Sequence, residues 1–112
     1  MIDESPLGVF EEQILVAVLR TRDAGEAYGM GVRREIERVT GRELAIGAVY
    51  ATLDRLEAKG LLASSRPRDP GVSRRVFAVT PAGARALADT RAMRERLWQG
   101  VDLRRLLALA RG

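Results

Sequence analysis

Cysteine and histidine are both absent from the 112 residues of this chain. Without cysteine there are no disulfide bonds and no thiolate nucleophile, and without histidine there is no imidazole base. The same side chains are the usual ligands of transition metals, so we expect neither a metal site nor a cofactor. The acids at positions 11 and 12, and at 35 and 37, do not share one helix face, so they form no catalytic pair. These absences predict a protein that is not an enzyme.

Long apolar runs are also absent. The longest contain only a few residues, far fewer than the roughly 20 that cross a bilayer, and the acidic N-terminus lacks the basic start of a signal peptide. We therefore expect a cytoplasmic protein without a membrane partner. The length suits one domain, so an apolar segment outside that domain would need a partner chain.

Lysine is nearly absent, because Lys59 is the only one and arginine supplies the rest of the 19 basic side chains. Against 15 acidic side chains they give a net charge of +4. Such an excess indicates nucleic-acid binding when the basic residues cluster on one surface. Codon bias explains the preference for arginine equally well, so the positions of the arginines have to decide.

The helical spacing of apolar residues predicts three successive helices, over residues 9–22, 28–40 and 46–59. Gly25 and Gly41 follow the first two, where a helix C-terminus favours glycine. Only residues 41–45 separate the second helix from the third, and so short a connection forces a sharp crossing. This is the spacing of a helix-turn-helix motif.

Beyond Gly60 the period changes, and residues 61–66 and 74–79 form two β-compatible runs around a loop rich in proline and glycine. Thr80 and Pro81 are an N-cap and a first-turn proline, which predict a fourth helix. We expect Gly100 to break it and Asp102 to cap a last short helix. The predicted fold is mainly α with a small β-hairpin. It consists of a winged helix-turn-helix over residues 1–80 and an amphipathic C-terminal arm over residues 81–112, which has little domain to pack on and is expected to dimerise.

In the order and spacing of its motifs, the chain resembles the PadR family of bacterial transcriptional regulators over nearly its whole length. The motifs are Leu7-Gly8 with Glu12, Tyr28-Gly29, Thr40-Gly41, Gly47-Ala48-Val49-Tyr50, residues 53–61, Arg74-Arg75-Val76-Phe77 and Thr80-Pro81-Ala82-Gly83. The chain departs from the family where Ala48-Val49 and Ala51 replace the usual Thr-Leu and Pro around the tyrosine. The resemblance implies a dimeric winged-helix repressor, and the departures bear on which bases are read.

The outer face of the third helix is the first candidate DNA contact. Its small side chains would let the helix sit deep in a major groove, where alanine can touch thymine methyl groups and longer side chains reach phosphates or base edges. The candidate contacts on this helix are Gly47, Ala48, Tyr50, Ala51 and Arg55. The alternative is a plain solvated face, with alanine present for helix propensity and Arg55 paired to Asp54 or Glu57.

The hairpin is the second candidate contact. It carries Arg66, Arg68, Arg74 and Arg75 with Asp69 as the only acid among them, and such a loop would attract phosphate. Tyr28 opens the second helix, whose first backbone N–H groups offer a phosphate site if they face the duplex. The alternatives are an ordinary solvated turn and a half-buried packing role for Tyr28.

The fourth helix and part of the first are the predicted dimer interface. The residues assigned to it are Phe10, Leu87, Thr90, Met93, Leu97, Trp98 and Val101. Some members of the family that the chain resembles accept flat apolar or aromatic molecules at this interface. The resemblance therefore implies a pocket for a small apolar or aromatic effector at Met93, Leu97 and Trp98. The alternative is that Trp98 only packs the seam between the two protomers.

The sequence thus predicts a homodimeric transcriptional repressor that binds double-stranded DNA at a pseudo-palindromic operator and is released by a small apolar ligand. Its two copies of the third helix would lie one turn of DNA apart, roughly 34–36 Å. The alternative, of a different class, is a winged-helix adaptor that binds a protein and not DNA. Acids on the outer face of the third helix would mark such an adaptor, and Asp54 is the only candidate there.

Overall fold

The computed structural model describes residues 7–66 and 74–112 of the chain. These ranges contain five helices and two strands. They are α1 (Val9–Arg22), α2 (Gly29–Thr40), α3 (Ile46–Ala58), β1 (Leu62–Ser65), β2 (Val76–Val79), α4 (Pro81–Trp98) and α5 (Leu103–Ala110). This order confirms the prediction of a mainly α fold with a small β-hairpin.

The helix ends follow local chemistry. Helix α2 begins one residue later than predicted, because Tyr28 has an extended backbone and caps the helix from outside. Gly41 ends it with a left-handed φ of 71°, and its N–H donates to the carbonyl of Glu37. The Thr80 hydroxyl accepts a hydrogen bond from the N–H of Gly83 at 3.0 Å, which confirms the predicted cap of α4.

The two strands form an antiparallel pair in which Leu62 faces Val79 and Ser65 faces Val76. The strands are shorter than predicted, and Arg66, Arg74 and Arg75 lie just outside the paired residues. The hairpin is attached to the helices by a further backbone bond, from the N–H of Phe77 to the carbonyl of Ala27 at 2.8 Å. This bond fixes the hairpin beside the start of α2.

One core joins the first three helices to the hairpin. Its buried apolar members are Ile14, Leu15, Ala17, Val18, Ala27, Val32, Ile36, Val49, Leu53, Leu56, Leu62 and Phe77. Because α2 and α3 each turn one apolar face toward this core, the residues on the opposite face of α3 are left for solvent or a ligand.

The first half of α4 packs on this domain. A Cβ at Gly83 would collide with the carbonyl of Leu61, so the helix approaches the hairpin closely. Thr90 is buried, and its hydroxyl accepts a hydrogen bond from the N–H of Leu7. Phe10 and Leu87 are partly buried against the core of their own chain. Thr90, which the sequence assigned to the dimer interface, is thus enclosed within one protomer.

The remainder of the arm projects from the domain. Helix α4 ends at Trp98, Gly100 follows with a φ of 84°, and α5 has no buried residue. The radius of gyration is 16.4 Å, whereas a compact chain of this length has about 13 Å. The end of α4 and all of α5 thus expose their apolar faces in the single chain.

Candidate nucleic-acid interface

A cleft of about 450 Å³ lies where the start of α2, the outer face of α3 and the ends of the hairpin meet. Its lining residues are Tyr28, Met30, Arg34, Tyr50, Arg66, Arg74 and Arg75. No acidic residue is among them, so the cleft is a concentrated positive surface. Three elements that are distant in sequence supply these arginines and tyrosines.

Tyr28 organises one wall of the cleft. The guanidinium carbon of Arg74 lies 4.4 Å from the centre of the tyrosine ring, an arrangement that favours a cation over an aromatic face. Nη2 of Arg34 donates a hydrogen bond of 2.8 Å to the tyrosine hydroxyl. Tyr28 is half-buried, as the packing alternative expected, yet it also holds two exposed guanidinium groups at the mouth of the cleft.

Tyr50 lines the cleft from α3. Its ring and hydroxyl lie so close to Gly29 that a Cβ at that position would overlap them. Only glycine therefore lets the first turn of α2 and the tyrosine of α3 come into contact. The Tyr50 side chain remains 40% exposed, so its outer edge is free to meet a ligand.

The outer face of α3 is as small and as open as the sequence predicts. Every residue on this arc is exposed: Gly47, Ala48, Tyr50, Ala51, Asp54, Arg55 and Ala58. The opposite face, with Val49, Leu53 and Leu56, is fully buried in the core. A helix held in this way presents a shallow surface with one long aromatic side chain.

Arg75 lines the cleft, but its guanidinium is committed to α3. Its Nη1 atom donates to Asp54 at 2.9 Å, and its Nη2 atom donates to Glu57 at 2.7 Å. The hydrogen bond with Asp54, followed by the bond with Glu57, raises the pKa of Arg75 above its usual value. Arg75 thus differs from Arg74, which lies over Tyr28.

Arg55 is not brought to the cleft. Its guanidinium lies 3.6 Å from the carboxylate of Glu11 on α1 and donates a hydrogen bond to the Thr52 hydroxyl. The alternative drawn from the sequence, an ion pair between Arg55 and Asp54 or Glu57, was wrong about the partners. Both acids form ion pairs with Arg75 instead. Arg68, assigned to the hairpin contact, lies outside the described residues.

Two cleft residues, Met30 and Arg34, were missing from the sequence assignment. They are four residues apart and so share one face of α2, and both are exposed. An exposed methionine one turn before an exposed arginine, directly after Tyr28, was the available signal. This pattern does not indicate a cleft unless the hairpin is known to fold beside the first turn of α2.

The arm holds a second, apolar cleft of about 210 Å³, lined by Leu97, Trp98, Val101 and Leu106. Met93, assigned to a ligand pocket with Leu97 and Trp98, does not line it. Met93 lies one turn earlier on α4 and is half-buried, whereas α5 folds back to supply Leu106.

No helix in the described ranges is both long enough and apolar enough to span a membrane. Within the same ranges, no group of acidic side chains is placed to hold a metal ion.

Three helices followed by a two-stranded hairpin define a winged helix-turn-helix protein, the class to which this fold and its cationic cleft correspond. The chain belongs to the PadR-like family of transcriptional regulators, which it matches over residues 15–89. That match spans all of α2, α3 and the hairpin, together with most of α1 and the first half of α4.

Two curated relatives are similar in sequence. The transcriptional regulator Rv3488 of Mycobacterium tuberculosis is 42% identical over 72 residues, which are 64% of this chain and 66% of the relative. An uncharacterised 37.1 kDa protein from a transposon of Streptomyces fradiae is 37% identical over 79 residues, which are 62% of this chain. The chain spans just under two thirds of the first relative and 22% of the second.

Solved structures share the fold. RosR of H. salinarum is 28% identical with a TM-score of 0.68, over 96% of this chain and 91% of that one. A PadR family regulator from Eggerthella lenta is 26% identical with a TM-score of 0.59, over 80% of each chain. A PadR family regulator from Clostridium difficile has a TM-score of 0.60 over 94% of this chain and all of its own, but at 20% identity it shows the fold alone.

Proposed function

We propose that this chain represses transcription by binding double-stranded DNA as a homodimer, with α3 in the major groove and the hairpin on the neighbouring phosphate backbone. One observation carries the proposal. The small, exposed face of α3 and the arginine-lined cleft are joined through Tyr50, so one DNA duplex can contact both.

The chemistry of the two parts suits the two parts of a duplex. Gly47, Ala48 and Ala51 allow the helix to approach the base edges, and alanine methyl groups can contact thymine methyl groups. Arg34 and Arg74 both contact Tyr28 and offer planar donors for phosphate oxygens. Phosphate contacts of this kind place the protein on DNA, and base contacts select the sequence.

The arm is the proposed dimerisation element, and the domain boundary near residue 80 belongs to the same proposal. Leu97 is 72% exposed, and Trp98 and Val101 are each about half exposed. Exposed apolar residues in this number on a projecting arm favour burial against a second copy. A twofold dimer would set two α3 helices on a pseudo-palindromic operator with half-sites roughly 34–36 Å apart.

Release by a small apolar or aromatic molecule is part of the same proposal. The cleft lined by Leu97, Trp98, Val101 and Leu106 is almost wholly apolar and offers an indole face for stacking. Because it lies on the proposed dimer element, a bound molecule could change the separation of the two α3 helices.

The adaptor alternative is less well supported by the geometry. Its mark would be an acid on the outer face of α3 that is free to meet a partner protein. Asp54 is exposed, but its carboxylate is paired with Arg75 of the same chain.

The test is the salt dependence of binding to duplexes selected from a random pool. Arg34 and Arg74 of two protomers, with or without Arg66, would make four to six phosphate contacts. The logarithm of the binding constant should then fall with the logarithm of salt concentration at a slope of about −4 to −5.

The matched variants are Arg74→Ala in the cleft and Arg91→Ala on the exposed side of α4, where the arginine pairs with Glu95. Arg74→Ala should lower affinity for all duplexes and make the slope less steep, while Arg91→Ala should leave both unchanged. A slope near zero for the unaltered protein, or equal effects of the two substitutions, would contradict DNA binding through this cleft.

A further inference from the structure

Arg75 connects the hairpin to α3, and each nitrogen of its side chain donates a hydrogen bond. Its two terminal nitrogens reach Asp54 and Glu57, which lie three residues apart on the helix, at 2.9 and 2.7 Å. Its Nε atom donates to the Ser64 hydroxyl at 3.3 Å, and its guanidinium carbon lies 4.8 Å from the ring centre of Phe77. The planar fork of arginine is suited to such a bridge, because several donors are fixed in one plane.

Two neighbouring arginines therefore have different surroundings. Successive side chains of an extended segment point to opposite sides, so Arg74 turns toward Tyr28 while Arg75 turns toward α3. Arg74 is exposed, whereas the Arg75 side chain is only 27% exposed. The sequence assigned the same phosphate contact to both.

We propose that Arg75 is a positioning residue, which sets the angle between the hairpin and α3 through Asp54 and Glu57 and does not contact the phosphate backbone. The inference rests on the proposed DNA binding. We name the group formed by Arg75, Asp54 and Glu57 the hairpin clamp.

The charge of the hairpin clamp supports this role. One guanidinium and two carboxylates sum to a negative charge beside a surface proposed to face phosphates, where acids oppose binding. A hydrogen bond from Ser64, and then the bond with Arg75, lowers the pKa of Glu57 below its usual value, so Glu57 is ionised at neutral pH. Electrostatics alone would disfavour two acids beside a surface that binds phosphates. Their presence is explained if Asp54 and Glu57 hold the hairpin against α3.

These two roles of the acids predict opposite changes in DNA affinity when the acids are neutralised. The double substitution Asp54→Asn with Glu57→Gln removes two negative charges next to the proposed DNA surface. If the acids only oppose DNA, affinity for the selected duplex rises. If they hold the hairpin, affinity falls despite the added positive charge, by about three- to tenfold, as for the removal of one ordinary hydrogen bond.

The matched control is Glu26→Gln with Glu43→Gln. Both acids are exposed, and neither forms an ion pair within the described part of the chain. The control makes the same charge change and should raise affinity or leave it unchanged. A rise in affinity for the hairpin-clamp variant similar to that of the control would overturn the inference.

The salt slope provides a second readout that is independent of stability. Arg74→Gln should make the slope less steep by about 0.9 for each phosphate that the variant no longer binds, whereas Arg75→Gln should lower affinity and leave the slope unchanged. A less steep slope for Arg75→Gln would show that Arg75 binds a phosphate and would overturn the inference.

Arg75→Lys decides the matter if the other variants melt below the assay temperature. Lysine keeps the positive charge and can bind a phosphate as a point charge. Its single ammonium cannot donate to Asp54 and Glu57 in the way that the planar guanidinium does. We expect Arg75→Lys to bind as weakly as Arg75→Gln, and binding as tight as the unaltered protein would overturn the inference. If the unaltered protein shows no salt-dependent binding at all, the proposed DNA binding itself fails. That result is distinct from the results above, which would overturn only the role of Arg75.

Discussion

The aromatic ring of Tyr50 on α3 lies directly against Gly29 in the first turn of α2, with no room for a Cβ between them. The relationship links the proposed reading helix to the wall of the cleft that Tyr28 organises. Because the contact depends on a missing Cβ, it can be tested by adding one methyl group.

We predict that Gly29→Ala preserves the fold and weakens DNA binding. The added Cβ would meet the far end of the Tyr50 side chain, which is partly exposed and can swing outward. Gly29 has no positive φ, so alanine fits the backbone. The melting temperature should change little while affinity for the selected duplex falls, as measured by thermal unfolding and by DNA titration.

Gly31→Ala is the matched comparison. A Cβ at Gly31 would collide with the backbone carbonyl of Glu26, which cannot move without displacing the turn before α2. Overpacking of this kind costs about 1–3 kcal/mol, so the melting temperature should fall clearly. A larger decrease in stability for Gly29→Ala than for Gly31→Ala would show that Tyr50 is held more rigidly than we infer.

We predict that Tyr50→Ala weakens DNA binding far more than Arg55→Ala does. Tyr50 lines the cleft, whereas Arg55 is directed toward Glu11 on α1. Removing one side chain that binds in the groove costs about 1–3 kcal/mol, or roughly tenfold or more in affinity. Gel-shift titrations of the two variants on one duplex measure the difference, and equal decreases in affinity would assign Arg55 to the DNA surface.

We predict that Leu97→Asp converts the proposed dimer to a monomer. Leu97 is the most exposed of the apolar residues in the arm cleft, and a carboxylate there would have to be buried on association. Light scattering should show half the mass, and the fluorescence of Trp98, the only tryptophan, should shift to longer wavelength. Val39→Asp makes the same kind of change at an exposed position of α2 and should leave the mass unaltered.

We predict that acid destabilises the protein partly through Glu35. Hydrogen bonds from Arg38 and Arg20 lower the pKa of Glu35 from 4.5 to about 2, and the bond from Arg20 ties α2 to α1. Because the folded pKa is the lower one, the stabilisation is complete above the unfolded pKa and is lost as the pH falls toward 2.

The variant for this test is Glu35→Gln. Its melting temperature at neutral pH should be lower by a few degrees at most, since exposed ion pairs contribute little. Between pH 4.5 and 2 it should lose less stability than the unaltered protein. Parallel melting curves of the two proteins across that range would contradict the role of Glu35.

Local signals in the sequence were sufficient for the secondary structure. The bounds of α1, the cap at Thr80 and the break at Gly100 all follow from residues within one or two turns. The same signals predicted the burial of individual side chains less reliably. A helical period shows which residues share a helix face, but it does not show which other elements cover that face. Leu19 and Val39 share the helical spacing of the other apolar residues of α1 and α2, yet each is about half exposed in the single chain.

The residues alone were enough to predict the order of helices and strands, the small outer face of α3 and the family, since these depend on local spacing and composition. The folded chain was needed to show that Arg34 joins the cleft, that Arg75 pairs with Asp54 and Glu57, and that Thr90 is enclosed within one protomer. A guanidinium or a hydroxyl binds whichever partner the fold brings within about 3 Å, and residues distant in sequence supply those partners.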